Sequence, residues 1–167
     1  MNDTDWPNLL LRMLLEFPYQ PSPLPVIDAA LDLARLGPDD VFADLGCGDG
    51  VVLIRAAGRF GVFSVGFEID RRLVDIALKK SKAAGLSNLI EIVNLDLFTA
   101  DISRFTVIYI YPYPPIVGRL SEKIFSECSK RSRLIVHDYP LEHLNPIRVV
   151  HIPGGNFHTH KIYLYEI

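Results

Sequence analysis

Short apolar runs alternate with amphipathic stretches along most of the chain. Pro7–Phe17 is strongly apolar with a proline at an early position, which predicts a short helix. Its two readings are a cap over the core and a partner-binding or lid element. Prolines at 18, 21, 23 and 25 then forbid a helix or a central strand. They predict a stiff extended strap across a site, with Tyr19 and Ser22 as its polar contacts. Ile27, Ala30, Leu31 and Ala34 repeat at helical spacing opposite Asp28, Asp32 and Arg35, predicting a helix over Val26–Leu36 closed by Gly37 and Pro38. From there strands predicted at 41–45, Val62–Phe67, Ile90–Asn94, Thr106–Ile110 and Leu134–His137 are interleaved with helices at 50–60, Arg71–Ala84 and Ile116–Cys128. The ending changes character. Ile147–Ile152 and Lys161–Ile167 flank a connection too short for a helix, so these two strands must run antiparallel. The pattern predicts a doubly wound α/β sheet that ends in an antiparallel hairpin.

The first strand, Val41–Leu45, leads into Gly46, Gly48 and Gly50 and then into a helix. Strand, glycine turn and helix in that order form the phosphate- or nucleoside-binding corner of such sheets. Glycine admits positive φ and lets a ligand approach where a Cβ would clash. The spacing is D-x-G-x-G-x-G from Asp44, with Asp49 at the helix start, rather than G-x-G-x-x-G. Carboxylates at that place repel a pyrophosphate and suit a ligand carrying an amino group and a sulfonium. Cys47 has two readings, a nucleophile or a small residue between two glycines, and the second is favoured.

Size and charge narrow the classes. The chain has 167 residues, is 49% hydrophobic and 22% charged, and carries a net charge of −3, which fits one globular domain over 1–167: helices and strap over 1–37, then the core over 38–167. No basic tail or arginine stripe is present, which disfavours electrostatic binding of nucleic acid. Two cysteines, Cys47 and Cys128, in no ligand cluster point to reduced thiols and a cytoplasmic protein. No apolar run is long enough to span a bilayer, and the N-terminus lacks the layout of a secretion signal.

Carboxylates recur at the ends of successive strands. Glu68 stands 18 residues after Gly50, where an acid accepts ribose hydroxyls, and Asp70 reads as the cap of the next helix. Asp96, one strand farther along, suits an adenine amino group, with Leu97 or Phe98 covering the ring; its other reading is a loop cap. The fourth strand runs into Tyr109-Ile110-Tyr111-Pro112-Tyr113-Pro114-Pro115. Tyr109 reads as strand packing, Tyr111 and Tyr113 as the lining of the site. An aromatic collar without a charged acceptor suits a lysine, because desolvation favours the neutral amine and the rings stabilise a sulfonium by cation–π contact. His137-Asp138 invites a general-base reading, but adjacent strand residues point to opposite faces. The five histidines show no metal-ligand spacing, so no metal is assigned.

From Pro18 onward the chain resembles the seven-strand methyltransferases that use S-adenosylmethionine (SAM). It is most similar to the small archaeal protein-lysine methyltransferases and the related mitochondrial enzymes that methylate an ATP-synthase subunit. The resemblance rests on PYQPSP before the amphipathic helix, then DLGCGDG, GFEID, LDLF, HDY and the ending HKIYLYEI. It implies a Rossmann-like doubly wound seven-stranded sheet, SAM as cofactor, and transfer to the ε-amino group of an accessible lysine on a protein substrate. It also implies Tyr19 and Ser22 at the methionine end of SAM and Asp44 at its amino group. Tyr111-Pro112-Tyr113-Pro114-Pro115 is richer in proline and tyrosine than that family's pattern. The rival readings are a methyltransferase of a small molecule or RNA, and a non-catalytic SAM-binding module.

Overall fold

A computed structural model describes residues 19–154 and 158–167. The predicted helix over 7–17 lies outside the described residues. Helix α1 (Leu24–Leu33) begins on prolines that fix φ for its first turn, with Pro23 as the cap. It ends before Gly37 because Arg35 adopts φ +51° and the Leu36 amide donates back to the Leu31 carbonyl. A left-handed arginine, not the glycine, closes the helix.

Strand β1 (Val41–Leu45) has the bounds the sequence predicts, and α2 (Val51–Phe60), β2 (Phe63–Glu68), α3 (Arg71–Ala83) and β3 (Ile90–Asn94) follow it. Strand β4 (Val107–Ile110), a 3-10 turn at Pro114–Ile116, α4 (Val117–Glu127), β5 (Arg133–His137), β6 (Arg148–Pro153) and β7 (Thr159–Glu166) complete the order. The sheet order is β3-β2-β1-β4-β5-β7-β6. Strands β1 to β5 pair in parallel, and β7 runs antiparallel between β5 and β6, so the final hairpin is as predicted.

The inner strands are apolar on both faces because helices cover both. Phe42, Val107 and Ile135 pack with Val26, Ile27 and Leu31 of α1 and Leu53 and Ala56 of α2. Ala43, Leu45, Ile108, Ile110, Leu134 and Val136 face Leu120 and Ile124 of α4 on the other side. Asp28 clamps α1 to α2 through a two-pronged ion pair with Arg55, at 2.6 and 2.7 Å, and a further bond to Arg59. The layers therefore hold β1 in the middle of the five parallel strands, with its carboxyl end facing the point where the strand order reverses.

Gly50 caps α2 at φ +79°, and a Cβ there would stand 3.0 Å from the Cβ of Ala77 on α3. Gly50→Ala is expected to lower stability by about 1–3 kcal/mol through the left-handed backbone and the closed helix contact. The midpoint of denaturant unfolding checks this.

Candidate active site

The carboxyl ends of β1 to β4 open onto a cleft of about 780 Å³, within the roughly 300–1,000 Å³ usual for small-molecule sites. It lies at the switch between β1 and β4, where open α/β sheets bind ligands. Tyr19, Ser22, Asp44, Gly46, Glu68, Asp96, Leu97, Tyr111 and Tyr113 all line it. Gly48 and Gly50 do not. Gly50 serves the helix contact described above, and Gly48 lies under the strap: a Cβ there would fall 2.1 Å from Cε2 of Tyr19. Residues 19–22 thus cross the glycine loop, and Tyr19, Gln20 and Ser22 form part of the wall.

Three acids surround the loop. Glu68 accepts from the Gly48 amide at 2.9 Å and the Asp70 amide at 2.8 Å, fixing its carboxylate at the end of β2. Asp49 accepts from the Val51 amide at 3.2 Å, from Lys80 and from the Tyr19 hydroxyl. Burial raises the Asp49 carboxyl, but those donors outweigh it and hold the group below the usual range. Asp44 has no such help. It is buried at the end of β1, and burial, then the charges of Glu68 and Asp49, push its carboxyl well above the usual range. No described residue donates a hydrogen bond to it. Asp70 caps α3 by accepting from the Arg72 amide, and Asp96 Oδ1 accepts from the Phe98 amide at 2.9 Å.

The opposite wall presents hydroxyls backed by a buried imidazole. Ser22 Oγ lies 2.9 Å from Tyr109 Oη and 3.1 Å from His137 Nδ1, which is itself 3.2 Å from Tyr109 Oη. Tyr109 therefore does more than pack: it lines the cleft and ties the strap to β5. Tyr111 donates to Asp138 Oδ2 at 3.0 Å, and its ring stacks on His137 with centroids 3.8 Å apart. Burial, then the Asp138 charge, raise the Tyr111 hydroxyl far above the usual phenol range. Burial above all pushes His137 down to about 4, against the pull of Asp138, so it is neutral near pH 7.

His137 and Asp138 do not point apart as strand alternation predicts. Asp138 lies one residue beyond β5 with φ +61°, and its Oδ2 comes to 3.4 Å from His137 Nε2. His160, on β7, joins them. Tyr139 and the Ile69, Leu73 and Ile76 stripe also line the cleft and were missed from sequence. The spacing of that stripe, i, i+4 and i+7, was the available signal.

Relatives decide what the cleft serves. The family profile described as "ANTKMT methyltransferase domain" matches residues 44–148. A protein-lysine N-methyltransferase of Saccharolobus islandicus is 34% identical over 90% of this chain and 93% of its own. The chain belongs to the ANTKMT methyltransferase family. A human lysine N-methyltransferase named for an ATP synthase subunit is 25% identical over 85% of this chain, which spans 59% of that protein. A crystal structure described as an RNA methyltransferase from Salinibacter ruber, in complex with S-adenosyl-L-homocysteine, is 38% identical over 89% of this chain and 94% of its own, with a TM-score of 0.84.

The chain is therefore a SAM-dependent methyltransferase with a seven-stranded sheet. Its residues fit the cofactor. A buried carboxyl without a donor among the described residues, flanked by two further acids, is a receptor for a cationic group.

The same feature predicts a stability effect. Asp44's raised carboxyl contributes stability below the unfolded value of about 3.9, and loses it as pH rises through the folded one. Cofactor-free Asp44→Asn is expected to melt higher than the wild type at pH 8, with the gap closing towards pH 4. Thermal unfolding across that range checks it.

Proposed function

We propose that this methyltransferase acts on lysine ε-amino groups of a protein substrate. The observation that carries the reading is the charge of the cleft. Among the described residues its wall holds Asp44, Glu68, Asp70 and Asp96 against one cationic side chain, Arg72, which is paired with Asp70 at 2.7 Å. Such a wall attracts a sulfonium and a lysine side chain and repels a phosphate backbone. The lysine-methyltransferase relatives support the same choice.

When bound, SAM supplies an electrophilic methyl group on a sulfonium. Asp44 takes the amino group of its methionine end, beside Tyr19 and Ser22 of the strap. Glu68 accepts from the ribose hydroxyls and Asp96 from the adenine amino group, with Leu97 and Phe98 against the ring. Tyr111 and Tyr113 act on the substrate side. The Tyr111 proton is committed to Asp138, so its oxygen lone pairs are left to accept from the attacking amine. The rings exclude water and favour the uncharged amine. His137 is neutral, buried and turned towards Ser22 and Tyr109, so proton removal falls to solvent before the amine enters. The two thiols are unpaired, which fits the cytoplasmic placement we propose. Among the described residues no helix is long and apolar enough to cross a membrane.

The RNA methyltransferase from Salinibacter ruber favours a second reading, transfer to RNA. Labelled SAM in cell lysate separates the two. Label is expected in a protease-sensitive fraction and on lysine; label confined to a ribonuclease-sensitive fraction would establish the second reading. The rate on protein is expected to climb from pH 7 towards about 9–10 as the amine deprotonates. Tyr111→Phe is expected to lower kcat about tenfold, the loss of one hydrogen bond, with SAM affinity kept.

A further inference from the structure

Beside the cleft, at the end of β5, four groups converge on one oxygen. Asp138 Oδ2 lies 3.0 Å from Tyr111 Oη, 3.2 Å from His160 Nδ1, 3.3 Å from His158 Nε2 and 3.4 Å from His137 Nε2. A carboxylate oxygen offers about two lone-pair directions, and Tyr111 occupies one. Three imidazole nitrogens compete for the other. His137 Nε2 and His160 Nδ1 also stand 2.9 Å apart, so one proton at most lies between them. Hydrogen bonds alone leave this cluster over-supplied with nitrogens.

The spacing matches a coordination sphere. With metal–ligand bonds of about 2.0–2.1 Å, neighbouring ligand atoms stand about 2.9 Å apart at a right angle and about 3.4 Å apart at the tetrahedral angle. The triangle of His137 Nε2, His160 Nδ1 and Asp138 Oδ2 has edges of 2.9, 3.2 and 3.4 Å. These three residues are also the ones among those described whose ligand atoms cluster within 4.8 Å of one another. The surrounding bonds suit the role. His137 Nδ1 faces the Ser22 and Tyr109 hydroxyls, either of which can accept its proton and leave Nε2 as a lone pair. Asp138 Oδ1 is held by the Lys161 amide at 2.8 Å. His137 is fully buried, while His158 lies on the exposed side of the cluster.

We propose that His137, Asp138 and His160 form a binding site for a first-row divalent cation of the zinc class, with His158 at its exposed edge. Two imidazoles and one carboxylate suit such an ion better than magnesium or calcium, which favour oxygen. The ion ties β7 to the end of β5 and fixes the imidazole on which Tyr111 stacks. Its place is therefore the support of the aromatic wall, outside the cofactor cleft.

Metal binding can be read without turnover, so the result stands apart from the choice of methyl acceptor. Full-length protein treated with a chelator and dialysed is titrated with Co²⁺ and with Zn²⁺. One equivalent per chain, visible d–d absorption with Co²⁺ and a rise in Tm are expected. His160→Ala and Asp138→Asn should each weaken binding at least about tenfold, and His158→Ala, at an exposed side chain, by less. X-ray absorption of the cobalt-loaded wild type needs no variant to fold, and should show at least two imidazole ligands. No uptake by the wild type, unchanged uptake in all three variants, or a shell of oxygens alone would overturn the proposal and leave the cluster as a proton-sharing network.

Discussion

A buried carboxyl group to which no described residue donates is costly, and the architecture around Asp44 keeps it there. The residue sits at the end of β1, the middle one of the five parallel strands, with β2 and β4 on either side and the glycine loop directly after it. Its neighbours make matters worse for the free protein: Glu68 and Asp49 add charge of the same sign. Those two are themselves satisfied, Glu68 by the Gly48 and Asp70 amides and Asp49 by Lys80, Tyr19 and the start of α2. Of the three acids, Asp44 is the one to which no described residue donates a hydrogen bond. The strap, the loop and the first turn of α2 are thus arranged around one carboxyl without a donor among the described residues.

The far wall answers a different requirement. It presents aromatic rings whose polar ends are tied back into the protein, Tyr109 to Ser22 and His137, Tyr111 to Asp138. Rings anchored in this way lose little further freedom when a substrate arrives. Ser22 carries the strap into the same network, so the cover of the loop and the support of the rim are mechanically one piece.

How far the sequence reveals this depends on the kind of information needed. Hydrophobic runs fix which residues face a covering layer, so β1, the alternation of strands with helices and the terminal hairpin are readable from it. The acids at the ends of β1, β2 and β3 are readable because each follows its own strand. What depends on backbone reversal or on pairing between distant segments is not. The left-handed Asp138 turns its carboxylate back onto His137 against strand alternation. His160 reaches the same point only through the antiparallel pairing of β7 with β5, which places Ile162 opposite His137. Arg35 closes α1 ahead of the glycine for the same reason, a single positive φ that residue type does not announce. Gly50 reads as a ligand-facing glycine and is instead a contact between two helices.

If Asp44 is kept uncompensated for the cofactor's amino group, its effect must depend on that group being present. Calorimetry with SAM and with 5′-methylthioadenosine, which has the same nucleoside but no amino acid, separates this from general damage to the cleft. Asp44→Asn is expected to weaken SAM by at least about tenfold, the scale of one charge-assisted hydrogen bond, while methylthioadenosine binds as it does to the wild type. Glu68→Ala should weaken both ligands. Equal losses of the two ligands in Asp44→Asn would show that Asp44 does not serve the cofactor's amino group.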